Sequence, residues 1–298
     1  MLDRASTFSD PEVIDLLKTK FVPVAVDLWP LHRSEDAEGE LYRKVANQGP
    51  RKVPQNTQGL YAFDAEGRLL GFTHRAHEFG DRPEHVRNLL RKVLADFQFR
   101  YQPPDAAPVS DGRTDPRAPE GGLVLDVTSR VLGGYSEPRN ELEKILQTSM
   151  GVDHLWVRKD EAEALARGAF PESLARRIAR FHMIDNTRGE PPLWESEEVR
   201  TLEVALEDGT ISGRARVETA SGRCGAELEL RGEVEVKDGK VARFDLVAKG
   251  VFWSEGGRGR SAAPKGRYSV AIAFRRVEGN DEANRVPPQG LRERDYLK

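Results

Sequence analysis

The chain has 298 residues, enough for one large or two ordinary domains, with a substantial core in either case. Hydrophobic residues make up 38% and charged residues 32%, a balance that folds without staples, and a net charge of −3 with no basic face argues against nucleic acid as a partner. The single cysteine, Cys224, excludes an intramolecular disulfide and any Cys-X-X-Cys site, and no apolar run approaches the roughly 18 residues of a membrane span.

MLDRAS, ahead of Thr7, is charged and too short for a signal peptide, so the expected location is cytoplasmic unless an upstream segment is missing from this chain. Ser9-Asp10-Pro11-Glu12 is a compact helix start: Asp10 can cap with Pro11 at the first helical position, or Ser9 can form a capping box with Glu12. Val13, Leu16 and Leu17 follow at helical spacing. FVPVAVD, 21–27, reads as a short strand, with β-branched valines and Pro23 near its start. A helix is expected within 34–46 from Leu41 and Val45, weakened by Gly39, and then a loop over 49–58. Leu60–Asp64 and Arg68–Thr73 form a hairpin about Ala65-Glu66-Gly67. A last helix opens at Asp81, with Val86, Leu89, Leu90, Val93, Leu94 and Phe97 as its apolar stripe.

This succession of helix, FVPVAVD, GLYAFDAEGRLL hairpin and closing helix resembles the thioredoxin superfamily over about residues 7–100, a third of the chain. Thr7–Asp27 is especially similar to thioredoxin-like domains in which a redox loop is followed by an S-F-x-D-x-x-V-x-x-x-L helix and F-V-P-V-x-V-D. The resemblance implies a thioredoxin-like α/β domain, truncated or degenerate. In that family a central strand and a Cys-X-X-Cys loop precede the position of Phe8, where this chain has only a short lead. A cis-proline normally precedes the strand matching Leu60–Phe63, where Gln58 or Gly59 stands here. Thiol–disulfide exchange needs a poised thiolate and a resolving thiol, and neither is present. The missing strand leaves three explanations open: a shortened N-terminus, a rearranged sheet, or a strand supplied from elsewhere.

Residues 102–121 are rich in proline and read as a linker between a domain at 1–101 and another at 122–298. Leu123–Val131 reads as a strand, and helices are expected near 141–146, 160–167 and 171–182. From Val199 the pattern turns to period two, with Asp208-Gly209 and Asp238-Gly239 as hairpin turns. The expected fold is α+β: the thioredoxin-like domain plus an antiparallel meander covered by helices, as an open sheet or a partial barrel.

The candidate site residues each carry two readings. Asp27, Trp29, His32 and Arg33 follow a strand end, and offer a ligand-binding or proton-shuttling loop, or a plug of the domain edge. His74 and His77, with His85 nearby, would hold a metal only on a helical turn, and otherwise are solvated. His182 and Asp185 offer an acid–base pair, or a cationic side chain at a helix C-terminus. Arg258, Arg260 and Lys265, in a Gly-rich loop at 255–266, offer an anion or partner contact, although the loop lacks Walker spacing and a following helix. Cys224, in phase with a buried strand face, reads as core.

These residues imply a non-catalytic binding or interaction protein. The expectation is no cofactor, a protein or small-molecule partner, and a short open sheet in the first domain that could invite strand pairing between chains. The alternative is an enzyme: a thiol–disulfide oxidoreductase whose redox loop is missing here, or an acid–base enzyme in the C-terminal domain.

Overall fold

The computed structural model describes residues 8, 10–26, 28–73, 82–96, 117–133, 137, 148, 150–185, 193–255, 265–278, 286–292 and 295–298. The chain divides into two compact units, 6–107 and 108–298. The linker residues 102–116 and the helix expected at 141–146 lie outside the described residues.

In the first unit, helix α1 (Pro11–Lys20) starts on Asp10, whose carboxylate accepts from Glu12 N at 3.1 Å and Val13 N at 3.0 Å. The single-residue cap is therefore the one that forms. Asp10 also pairs with Arg87 at 2.6 Å, and Glu12 with Arg91, so the start of α1 is tied to α4 (Arg82–Asp96). Val13, Val86 and Leu90 form the small core between them, with Leu16, Leu17, Phe21 and Leu60 around it.

The expected strand at 21–27 is not formed. Residues 21–26 join no ladder, and Val22, Val24 and Val26 are 69%, 70% and 54% exposed. β-Branched side chains favour a pleated surface only where a neighbouring strand supplies hydrogen bonds and cover. The two strands described here, β1 (Leu60–Phe63) and β2 (Leu69–Thr73), pair only with each other. Helices α2 (Leu28–Leu31) and α3 (Ala37–Ala46) fill the stretch between, with Asp36 capping α3 through Gly39 N at 2.9 Å. Gly39, read as a weakness of this helix, is required there, because a Cβ would collide with the Ser34 carbonyl oxygen. Gln58 and Gly59 directly precede β1, and the Val53–Pro54 bond further upstream is cis.

The second unit is one seven-stranded antiparallel sheet with the order β4-β3-β9-β8-β7-β6-β5. Its strands are β3 (Leu123–Gly133), β4 (Met150–Val157), β5 (Val199–Glu207), β6 (Thr210–Glu218), β7 (Gly225–Lys237), β8 (Lys240–Ser254) and β9 (Gly266–Arg276). β4 and β5 are its two ends and pair with no other described strand, so among the described residues the sheet does not close into a barrel. The two hairpin turns form as expected, with positive φ at Asp208 and Gly209 and at Asp238 and Gly239.

One face carries Ile211, Ala215, Leu228, Leu230, Phe244, Leu246, Val270, Ile272 and Phe274, all buried. Helices α5 (Lys159–Ala166) and α6 (Glu172–His182) cover it, burying Leu165, Leu174, Ile178 and Phe181 in one continuous core. The other face is charged, with cross-strand pairs such as Arg214–Glu203 at 2.8 Å and Arg243–Glu235 at 2.9 Å. Strand β4 was not expected. Asp153, His154, Leu155, Trp156 and Val157 are all buried, so both of its faces are covered and no alternation marks it.

Gly250, in β8, lies against the neighbouring strand so closely that a Cβ would collide with the Glu227 carbonyl oxygen. Gly250→Val is expected to cost about 2–4 kcal/mol through overpacking and ladder distortion, read as a lower urea midpoint at unchanged m-value.

Candidate functional site

The polar residues of the second unit converge where α6, β4 and the C-terminal segment meet. His182 lies one turn beyond Ile178 on the buried face of α6. Its Nε2 is 3.0 Å from the Tyr296 hydroxyl and its Nδ1 is 3.5 Å from Asp153 Oδ2. The 3.5 Å approach is an electrostatic contact, beyond good hydrogen-bond geometry. Asp153 Oδ1 accepts the Gln289 amide at 2.9 Å. His182, Asp153 and Tyr296 are 2%, 1% and 1% exposed.

Burial, then the Arg177 and His154 charges, lower the His182 pKa to about 3, so the imidazole is neutral at pH 7. The hydrogen-bond pattern assigns the tautomer: Tyr296 donates to Nε2, and Nδ1–H faces Asp153. Burial and the Asp153 carboxylate push the Tyr296 phenol well above its ordinary range. Both groups are held in their uncharged forms.

Beside them lies a buried ion pair. Arg177 makes two bonds to Glu161, at 2.6 and 2.9 Å, with both side chains 1% exposed. Burial would raise the Glu161 carboxyl, but bonds from Arg177 and Ser173 outweigh it and hold the pKa below the usual value. The same guanidinium donates to the Tyr296 carbonyl at 2.6 Å and the Trp156 carbonyl at 3.3 Å, and lies 5.6 Å from the Tyr296 ring centroid. Arg158 donates to the Leu297 carbonyl at 3.0 Å, and Arg180 pairs with Asp295 at 2.6 Å. The cluster holds the C-terminal segment on α6. A recess of about 360 Å³ beside it is lined by Arg176, Arg177, Arg180 and Asp295, and each of these arginines is in an ion pair.

His182 was singled out from sequence; Asp153, Glu161, Arg177 and Tyr296 were not. A carboxylate within the apolar run VDHLWV was the available signal for Asp153. Asp185 is buried and accepts from the Tyr268 hydroxyl at 3.4 Å, whereas His182 takes Asp153 and Tyr296 as partners. Nor is His182 a helix-terminal cation, since burial keeps it neutral.

In the first unit His32 Nε2 lies 3.2 Å from the Tyr42 hydroxyl and 3.1 Å from the buried Thr57 hydroxyl, which also bond each other. His32 therefore pins the 28–33 turn to α3 and to the following loop. Arg33 is exposed. Asp27, the Trp29 side chain, His74, His77, Arg258 and Arg260 lie outside the described residues. Lys265 is exposed at the start of β9. Near it, on the charged face of the sheet, Arg267 and Arg216 lie 4.7 and 5.7 Å from the ring centroid of Trp253. Arg216 is engaged by Glu218, while Arg267 has no ion pair among the described residues. Cys224 packs at the margin of the core, and burial, then Glu198, push its thiol up to about 11.

Comparison with protein-family models, curated proteins and solved structures gives no match. The class that the fold defines is an α+β protein with a seven-stranded antiparallel sheet, and no described helix is long and apolar enough to cross a membrane.

Proposed function

We propose that this chain is a non-catalytic binding or interaction protein, with a degenerate thioredoxin-like first unit and a β-rich second unit that recognises a protein or small-molecule partner. The observation that carries this reading is burial: His182 is 2% exposed, and Cys224 packs at the margin of the core. His182, lowered to about 3, and Cys224, raised to about 11, are both moved away from neutrality toward their inert forms. A nucleophilic thiolate needs a lowered pKa, and a general base needs one near the working pH. His182 is also committed to the Tyr296 hydroxyl beneath the C-terminal segment. For the first unit the reading rests on the sequence resemblance, with the 60–73 hairpin and the closing helix formed as expected and the 21–27 strand not formed. For recognition, the charged face of the sheet around Trp253, Arg216 and Arg267 is the surface we favour.

Insulin reduction by dithiothreitol tests the non-redox part of this reading. The full chain and its Cys224→Ser variant are expected to leave the uncatalysed rate unchanged. Acceleration that depends on Cys224 would overturn the proposal.

A further inference from the structure

The two ends of the seven-stranded sheet are finished differently. At β4, Arg177 donates to the Trp156 carbonyl, and the Gln289 amide docks on Asp153. The β5 end is open. Glu207 faces Thr210 across the two-residue Asp208-Gly209 turn, and the register continues through Ala205↔Ser212 and Glu203↔Arg214. A two-residue turn makes its flanking pair hydrogen-bonded, so Glu203, Ala205 and Glu207 direct their N–H and C=O groups to β6. Leu202, Val204 and Leu206 then direct theirs away from the sheet, and none of these groups has a backbone partner among the described residues. The strand has no proline or lysine, and its one irregularity lies at its start, between Val199 and Thr201. Such an edge is a template for another strand.

We propose that β5 pairs antiparallel with β5 of a second copy of this chain, about a two-fold axis at Val204. This register is set by charge. Val204 meets the partner's Val204, and Leu202 meets the partner's Leu206, so the side chains on the helix-covered face are all apolar. On the other face Glu203 meets the partner's Ala205, and Glu207 meets the partner's Thr201. Moving the axis by one residue sets Glu203 against either the partner's Glu203 or the partner's Glu207, and like charges directly opposite are unfavourable. Moving it by two residues shortens the ladder within Thr201–Glu207, the part of the strand beyond its irregularity. Glu203 is already neutralised by two bonds from Arg214, both 2.8 Å, which lowers the cost of its closeness to the partner's Glu203 across the diagonal. Leu202 and Val204 are only half-buried in one copy, and pairing covers them. The interface is isologous, as closed dimers require.

Sedimentation equilibrium on the full chain tests this. The wild type is expected to sediment at twice the 33.4 kDa chain mass. Val204→Pro removes an N–H aimed at the partner while leaving the β6 ladder intact, and is expected to give a monomer with unchanged far-UV circular dichroism. Ala205 is exposed, so its variants spare the core. Ala205→Glu sets a carboxylate against the partner's Glu203 and is expected to weaken the dimer about tenfold, whereas Ala205→Lys tightens it, and salt narrows the gap. A wild type that stays monomeric to about 100 µM would overturn the proposal, since a specific homodimer is expected well below that concentration. So would a folded Val204→Pro dimer, or a dimer indifferent to the sign of the charge at residue 205. The Ala205 pair decides the matter if Val204→Pro fails to fold.

Discussion

Arg177→Ala is expected to destabilise the second unit by about 3–5 kcal/mol, the cost of leaving a buried charge without its partner. Removing the guanidinium strands Glu161, which is 1% exposed and has two of its bonds from Arg177. It also frees the Tyr296 and Trp156 carbonyls. The carboxylate then keeps the Ser173 hydroxyl, the Arg158 amide and, at 3.5 Å, the partly exposed Arg158 guanidinium. Glu161→Gln should cost less, because a neutral amide still accepts from Arg177 and leaves an arginine that keeps its two carbonyl partners. The double variant Glu161→Leu/Arg177→Met should recover much of the loss, because no buried charge is left unpaired. Urea unfolding followed by tryptophan fluorescence measures all three. If Arg177→Ala costs no more than an exposed pair, about 1 kcal/mol or less, the ion pair is not what holds the segment on α6.

The second large effect is a pH dependence that belongs to His182. In the folded chain its pKa is about 3, through burial and the charges of Arg177 and His154. In the unfolded chain it returns to the ordinary 6.5 or so, and unfolding then takes up a proton at any pH between these values. The stability contribution is therefore complete above about pH 6.5 and is lost as the pH falls toward 3, by a few kcal/mol in all. Glu161 acts in the same direction, but from the ordinary carboxylate range downward, so the stretch from about pH 6.5 to 5 lies above its contribution. Wild-type urea midpoints should drop across that stretch. His182→Gln, which keeps an acceptor for the Tyr296 hydroxyl, should start lower at pH 7 and show a flatter profile. An equal slope in the two proteins would mean that His182 titrates normally in the fold.

Much of the second unit was legible in the sequence because its signals are local. Asp-Gly pairs set the hairpins, alternation set the faces of β5 to β9, and Leu174, Ile178 and Phe181 set the buried face of α6. Strand β4 escaped because burial on both faces erases alternation. The candidate site was legible only as His182. Its partners come from α5, β4 and the C-terminal segment, and nothing in the local pattern announces that they meet.

By itself, then, the sequence determined the α+β class, the hairpin turns of the meander and the lack of any dithiol site in this chain, because each depends on neighbours along the chain or on composition. The tertiary structure alone decided three other matters. The 21–26 segment is a strand by propensity, yet it is exposed because no described strand pairs with it. Gly39 is a necessity because Ser34 crowds its α-carbon. His182 is a neutral anchor because burial beside Arg177 costs it its proton, and burial is a property that only the folded chain possesses.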